Sequence, residues 1–310
     1  MTRRIVYLAG GVGGSKLAVG LASLLSPDEL TIVVNTGDDE EFHGLHVSPD
    51  VDTVMYALAG LTNEVSGWGV TGDTFSGLSM LERLGAPTWF NLGDKDLATH
   101  IRRTQLLRQG WSLSKVTNEL SQQLGIKHRI VPMSDDSVRT VIHTPEGPLS
   151  FQDYFVRRRC EPSAAAIDFT GADTAQPSAG FSEALQEATA VIYGPSNPIV
   201  SIGPILALPG LRERLQAFSG PRIAVSPIVG GEAVRGPAAK MLRELGEEPG
   251  VGAIARRLAG LCDILVIDET DRDAASEVER WGMKAVAEQT IMTNIEDRIS
   301  LAGRVLELAS

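Results

Sequence analysis

Seven short apolar runs punctuate the chain, and their spacing constrains the fold more than any other feature. They are RIVYLAG (4–10), LTIVVNTG (30–37), RIVPM (129–133), TAVIYG (189–194), RIAVSPI (222–228), DILVIDE (263–269) and KAVAEQTIM (284–292). Most are rich in β-branched residues and nearly continuous in apolar character, the pattern of a strand buried on both faces. Stretches with helical spacing lie between most of them, among them SKLAVGLASLL, VDTVMYALAGL, ATHIRRTQLLRQG, SLSKVTNELSQQLG and GPAAKMLRELG. Strands alternating with amphipathic helices predict an α/β fold, a doubly wound and mostly parallel Rossmann-like sheet. One segment breaks the alternation. VRTVIHTPEGPLSFQDYFVRRR (138–159) reads as two strands around the turn TPEGP, and the residues after it have no clear helical period. Residues 138–185 are therefore expected to form a small β-containing subdomain, inserted into a core made of 1–137 and 186–310.

The composition fits that picture. A chain of 310 residues that is 43% hydrophobic and 22% charged can bury a large core without staples. Its two cysteines, Cys160 and Cys262, are far apart and form no CxxC pattern, which argues against a disulfide framework or a zinc-thiolate site. A net charge of −11 disfavours nonspecific nucleic-acid binding. RRR at 157–159 and the pair Arg102–Arg103 read as solvated faces or anion contacts. The apolar stretch at the N-terminus breaks into glycines after five residues, so it does not read as a signal peptide. The stretch AVIYGPSNPIVSIGPILALPGL carries Pro195, Pro198, Pro204 and Pro209, which excludes an ordinary membrane helix. A soluble, cytoplasmic protein is expected.

The first strand ends in AGGVGGSK (9–16). Glycines at 10, 11, 13 and 14 permit close backbone approach, and the helix that follows aims its N-terminal amides and positive dipole end outward. The motif is neither GxxxxGK[ST] nor GxGxxG, since Lys16 stands where a third glycine belongs. Four glycines with Ser15 and Lys16 favour anion binding over a plain tight turn.

The second strand runs into NTGDDEEFHGLHVSPDVDT (35–53), with six carboxylates. Consecutive parallel strands of a doubly wound sheet send their loops to one edge, so this loop should lie beside the glycine loop. A phosphate cradle next to carboxylates repels phosphate unless a divalent cation joins them, and Mg²⁺ suits that pairing. Asp38 with Asp50 or Asp52 is the expected metal set; the competing reading makes Asp50 and Asp52 helix-capping acids. Glu40 and Glu41 read as solvated. His43 and His46 form an HxxH with no supporting ligands. Trp68 and Trp89, in GWGVTGDTF and WFNLGDKDLATH, read as packing residues or as stacking platforms for a planar ligand. GPSNPIVSIGPIL and SPIVGGEAVRGPA follow later strands and supply Ser196, Asn197, Ser201 and Ser226 as candidate nucleotide-recognition groups.

Taken in order, GGVGGSK, VNTGDDEEFHGLHVSPDVDT, GWGVTGDTF, WFNLGDKDLATH, GPSNPIVSIGPIL and SPIVGG resemble the 2-phospho-L-lactate transferase family of coenzyme F-420 biosynthesis. The resemblance runs from residue 8 to about 237. It implies Mg²⁺-dependent transfer of a phosphorylated three-carbon acid from a guanosine diphosphate conjugate to the ribityl hydroxyl of Fo (7,8-didemethyl-8-hydroxy-5-deazariboflavin), with GMP released. By the same analogy Asp38, Asp50 and Asp52 surround the metal and the reacting hydroxyl. Thr74 and Asp94 fall on the Fo side; Gly11, Gly13, Gly14, Ser196, Asn197, Ser226 and Ile228 fall on the nucleotide side. Ser15, Lys16, Asn35 and Pro198 are counted with these binding residues. Family members use phospholactyl, phosphoenolpyruvyl or phosphoglyceryl donors, and a homodimer fits the family. Two rival readings are a nonenzymatic nucleotide-sugar-binding regulator of the same superfamily and an NAD-dependent oxidoreductase. The segment EEFHGLHVSPDVDT counts against the first, and the missing third glycine against the second.

Overall fold

A computed structural model describes residues 3–310. In chain order the strands are β1 (Ile5–Ala9), β2 (Leu30–Val34), β3 (Glu40–Phe42), β4 (Leu45–Val47), β5 (Arg129–Pro132), β6 (Arg139–Thr144), β7 (Gly147–Ser150), β8 (Ala166–Thr170), β9 (Ala190–Tyr193), β10 (Arg222–Val225), β11 (Ile228–Val229), β12 (Glu232–Ala233), β13 (Ile264–Asp268) and β14 (Lys284–Glu288). The helices are α1 (Gly11–Leu24), α2 (Pro49–Leu58), α3 (Ser76–Arg83), α4 (Asp94–Arg108), α5 (Leu113–Gln123), α6 (Ala179–Glu187), α7 (Gly203–Leu206), α8 (Leu211–Gln216), α9 (Ala238–Glu244), α10 (Val251–Arg257), α11 (Ala275–Glu279) and α12 (Ile295–Leu308).

All seven apolar runs enter one parallel sheet, in the order β14-β13-β10-β9-β1-β2-β5. This is the doubly wound Rossmann-like arrangement that the spacing predicts. The chain winds outward from β1 through β2 to β5, then returns to β9 and winds the other way. Strand order therefore reverses between β1 and β9, where Ile5 faces Ala190. At such a switch point the loops leaving the two strands diverge and open a crevice beyond their carboxyl ends.

Alternate residues of each strand feed opposite cores. Val6, Leu8, Val33 and Val191 belong to one cluster; Ile5, Tyr7, Ile32 and Ile192 belong to the other. Each such side chain, fully buried, contributes about 1.5–3 kcal/mol. Helices α1, α2 and α12 pack together on the second face. The first face is covered partly by α6 and partly by a three-stranded antiparallel sheet of order β7-β6-β8. Ile142 and Leu149 of this small sheet, with Phe151 just after β7, share a cluster with Val6 and Leu8. Its strands end at Thr170, while α6, inside the segment read as inserted, touches β1, β2 and β5 of the main sheet.

The acidic loop holds a further hairpin. β3 and β4 pair around His43 and Gly44, whose φ values of 52° and 73° are the two positive angles of a tight hairpin turn. It ends at Ser48, and Pro49 opens α2 at a position where its missing N–H costs nothing. Asp50 and Asp52 thus sit in the first turn of α2, buried rather than solvated.

Candidate active site

A cavity of about 830 Å³ occupies the switch-point crevice, within the range of small-molecule sites. The loops after β1, β2 and β9 line it, together with α2, α4, residues 234–238 and residues 290–293.

One part of the wall is acidic. Asp38 from the loop after β2 and Asp50 from α2 both line the cavity and both are buried. Asp50 receives the amide of Gly11 (2.7 Å) on one oxygen and Asn35 Nδ2 (2.9 Å) on the other. Burial, with help from the neighbouring Asp39, still pushes its carboxyl up to about 6. Asp38 is less well served, with Thr140 Oγ1 no nearer than 3.4 Å. Burial first and the Asp50 charge second hold it well above the ordinary carboxylate range. Two adjacent buried carboxylates with too few donors are a hard-oxygen set that a small divalent cation would neutralise, so the residues present fit Mg²⁺. Asp39 turns away, accepting from Ser48 Oγ (2.8 Å) and His46 Nε2 (2.9 Å), and His43 is exposed in the hairpin turn.

A second part of the wall is basic. The first turn of α1 opens on the cavity, and the amides of Val12 and Gly13 find no partner among the described residues. Lys16 and Arg235 stand beside them. Lys16 Nζ donates to the carbonyl of Met292 (2.6 Å), and burial, Arg298 and Arg235 lower its pKa. Arg235 lies against Gly67 and has no ion pair with a described residue. Helix terminus, ammonium and guanidinium make a site for an anion, next to carboxylates that need a cation. Trp68, Phe90, Phe151 and Phe155 add aromatic surface to the same cavity, whereas Trp89 packs on Phe42 and Phe90.

The remaining expected residues shape the walls or lie outside them. A Cβ on Gly13 would overlap the carbonyl oxygen of Pro195, and one on Gly14 would stand 2.7 Å from Ser196 Oγ. These glycines serve the close approach of the loops after β1 and β9, while Gly11 and Gly13 also line the cavity. Ser196 Oγ donates to the carbonyl of Gly10 (2.8 Å) and accepts its amide (3.1 Å), pinning those loops together. Asn197 Oδ1 accepts the amide of Ile199, and Ser226 Oγ closes a turn with Ile228. Ser196, Asn197 and Ser226 line the cavity; Gly14, Ser15, Asn35, Pro198 and Ile228 stand behind it. Thr74 donates to Asp94 (2.6 Å), which also accepts the amides of Ser76 and Gly77, so this pair braces the start of α3 outside the cavity lining.

Asp52 differs most from its expected setting. Arg103 on α4 is fully buried and binds both of its oxygens, one at 3.0 Å and the other closer still. Its negative charge is thereby matched inside the protein, by Arg103. Asp52, Asp96 and His100 have ligating atoms within 4.8 Å of one another, but Arg103 fills the place that a cation would take. Arg103 had read as part of a basic spot. Nothing in the helical spacing distinguishes it from its exposed neighbour Arg102. Tyr56, Asp96, His100 and Arg235 also line the cavity; Asp96, His100 and Arg235 fall within WFNLGDKDLATH and SPIVGGEAVRGPA but are not read as site residues there.

The sheet order and this crevice define a Rossmann-like α/β protein with a small-molecule site of mixed charge. A family profile described as 2-phospho-L-lactate transferase CofD matches residues 5–299. The chain is 44% identical to a phosphoenolpyruvate transferase of Streptomyces griseus, over 99% of this chain and 98% of that one. It is 43% identical to the enzyme of the same name from Kitasatospora aureofaciens, with the same coverage. It is 40% identical to a 2-phospho-L-lactate transferase of Methanosarcina mazei, over 98% of this chain and 99% of that one. A solved UPF0052-family structure from Bacillus halodurans shares the fold, with a TM-score of 0.64 at 16% identity over 99% of both chains. The chain belongs to the 2-phospho-L-lactate transferase family and is a transferase. No helix is long and apolar enough to cross a membrane among the described residues.

Proposed function

We propose that this transferase moves a phosphorylated three-carbon acid, phospholactyl or phosphoenolpyruvyl, from a guanosine diphosphate conjugate to the ribityl hydroxyl of Fo. The observation that carries the reading is one cavity in which buried Asp38 and Asp50 face the open amides of α1, Lys16 and Arg235. A diphosphate laid across such a site meets cationic groups on one side and needs a divalent cation on the other. The family and the names of the relatives above supply the reaction class.

In this reading Asp38 and Asp50 hold Mg²⁺, which when bound neutralises the diphosphate. Gly11 and Asn35 fix Asp50 through both oxygens. Asp38, with few donors of its own, receives the hydrogen bond of the attacking hydroxyl and takes its proton. The hydroxyl oxygen bonds to the donor phosphorus distal to guanosine, and the bond from that phosphorus to the bridging oxygen breaks. GMP leaves with the electron pair, its charge received by Lys16, Arg235 and the amides of Val12 and Gly13. Trp68, Phe90, Phe151 and Phe155 give the flat deazaflavin an apolar bed.

The test is incubation of the purified protein with Fo, Mg²⁺ and each guanylylated three-carbon acid, followed by mass spectrometry. A product of Fo plus one phosphorylated acid, with GMP released, is expected, and it also identifies the donor. No product from any conjugate, with GDP still bound, would favour a nonenzymatic binding role.

A further inference from the structure

The carboxyl end of β13 carries a buried acid that does not line the cavity and that the site described above does not use. Asp268 is 1% exposed and has no cationic neighbour among the described residues. Four donors stand where a cation would be expected. Oδ1 accepts the amide and the hydroxyl of Thr270, at 3.0 and 2.8 Å. Oδ2 accepts the amide and the hydroxyl of Thr290, at 3.1 and 2.9 Å. Burial opposes ionisation of Asp268, but these bonds hold its carboxyl below the ordinary range. The arrangement calls for a carboxylate. An amide would turn an NH₂ group toward the backbone N–H of Thr270 or of Thr290, and a backbone N–H only donates.

The two sides of the carboxylate reach different places. Thr270 belongs to the turn that follows β13. Thr290 opens the segment 290–293, which follows β14 and lines the cavity. The far end of that segment is anchored as well, since the amide of Thr293 donates to Asp297 (2.8 Å) in the first turn of α12. Between the anchors lies Met292, whose carbonyl receives Lys16 Nζ at 2.6 Å. An ammonium has three N–H donors, and this is the one hydrogen bond of Lys16 to a described residue, so two donors remain for a ligand. A long, flexible side chain is thus held at its charged end by a backbone carbonyl, two residues beyond the threonine that Asp268 grips.

We propose that Asp268 is a positioning residue for the transfer: through Thr290 it fixes the Met292 carbonyl, and through that carbonyl it directs the Lys16 ammonium at the departing phosphate. This rests on the reading above, in which GMP leaves over Lys16. Asp268 itself touches no substrate. It governs how well Lys16 meets charge that develops as the bond breaks, so its effect belongs in kcat and not in affinity for the acceptor.

Three variants test this. Thr290→Val removes one bond to Asp268 with little change of size, Thr290→Ser keeps that bond, and Asp268→Asn disturbs the whole set. With Fo, Mg²⁺ and the conjugate that reacts, kcat is expected to fall about 10-fold in Thr290→Val and about 10- to 100-fold in Asp268→Asn. The KM for Fo should hold within about twofold in both, and Thr290→Ser should stay near wild type. In a Lys16→Met background neither change should cost more than about a further twofold, because each acts through Lys16. A purely structural role would instead multiply with the loss from Lys16→Met. Such multiplication, or an unchanged kcat in folded Thr290→Val, would overturn the inference and leave the transfer standing. If wild type turns over no conjugate, the transfer reading falls, and the inference is judged by GDP titration. Affinity for GDP should then drop about 10-fold in Thr290→Val, and an unchanged affinity would overturn it too. Wild type that binds no GDP would overturn both.

Discussion

Asp50 shows how one side chain serves the fold and the site at different cost. Its raised carboxyl means that the metal-free folded state holds a proton more tightly than the unfolded chain, between the ordinary value near 4 and about 6. The metal-free protein should therefore lose stability as pH rises through that window and level off above it. Urea unfolding in chelator, comparing wild type with Asp50→Asn, isolates the effect; identical pH profiles would contradict it. Activity should move in the opposite sense, since only the ionised pair binds a cation, and Asp50→Asn should lower turnover at least 100-fold. At Gly13 the constraint is spatial. Any Cβ meets the carbonyl of Pro195, which is backbone and has little room to yield. Gly13→Ala should cost about 1–3 kcal/mol, read as a lowered urea midpoint.

Between elements, the Arg103–Asp52 pair ties α4 to α2, 51 residues apart in sequence. Truncating one partner leaves a buried charge unmatched. Arg103→Met should therefore destabilise by about 3–5 kcal/mol, and adding Asp52→Leu should recover much of that loss. A double variant no more stable than the single one would show that Arg103 acts through packing alone. This brace also marks where legibility in the sequence stops. The main strands could be read because burial on both faces makes most of them apolar, although the edge strand β14 is only partly buried. The small hairpin of β3 and β4 could not, because its strands are only three residues long, one of them two-thirds acidic, and its turn is set by His43 and Gly44. Arg103 escaped notice because periodicity reports faces of a helix, and on α4 Ile101 is exposed while Arg103 is buried. The glycine loop and Asp38 with Asp50 were legible as neighbours, and they line one cavity. Which glycine meets a neighbouring loop and which meets the cavity depends on contacts between segments nearly 200 residues apart.

Across the molecule, the cavity draws its acidic groups from the β1–β5 half of the chain and part of its basic rim from beyond β10. A ligand that touches both halves should stabilise the whole protein. GDP with Mg²⁺ at 100 times its dissociation constant should add about 2.7 kcal/mol, seen as a higher melting temperature. Chelation should remove most of that gain, and an equal shift with and without Mg²⁺ would separate nucleotide binding from the carboxylate pair. The pairing of β1 with β9 has a further consequence, for the order in which the protein is made. β1 leaves the ribosome long before β9, the strand that covers its second edge and begins only at Ala190. A nascent chain halted before that point carries an apolar strand with an open edge, the kind of surface on which chains join one another. Until β9 emerges, the open edge of β1 should therefore depend on chaperones to stay free of other chains.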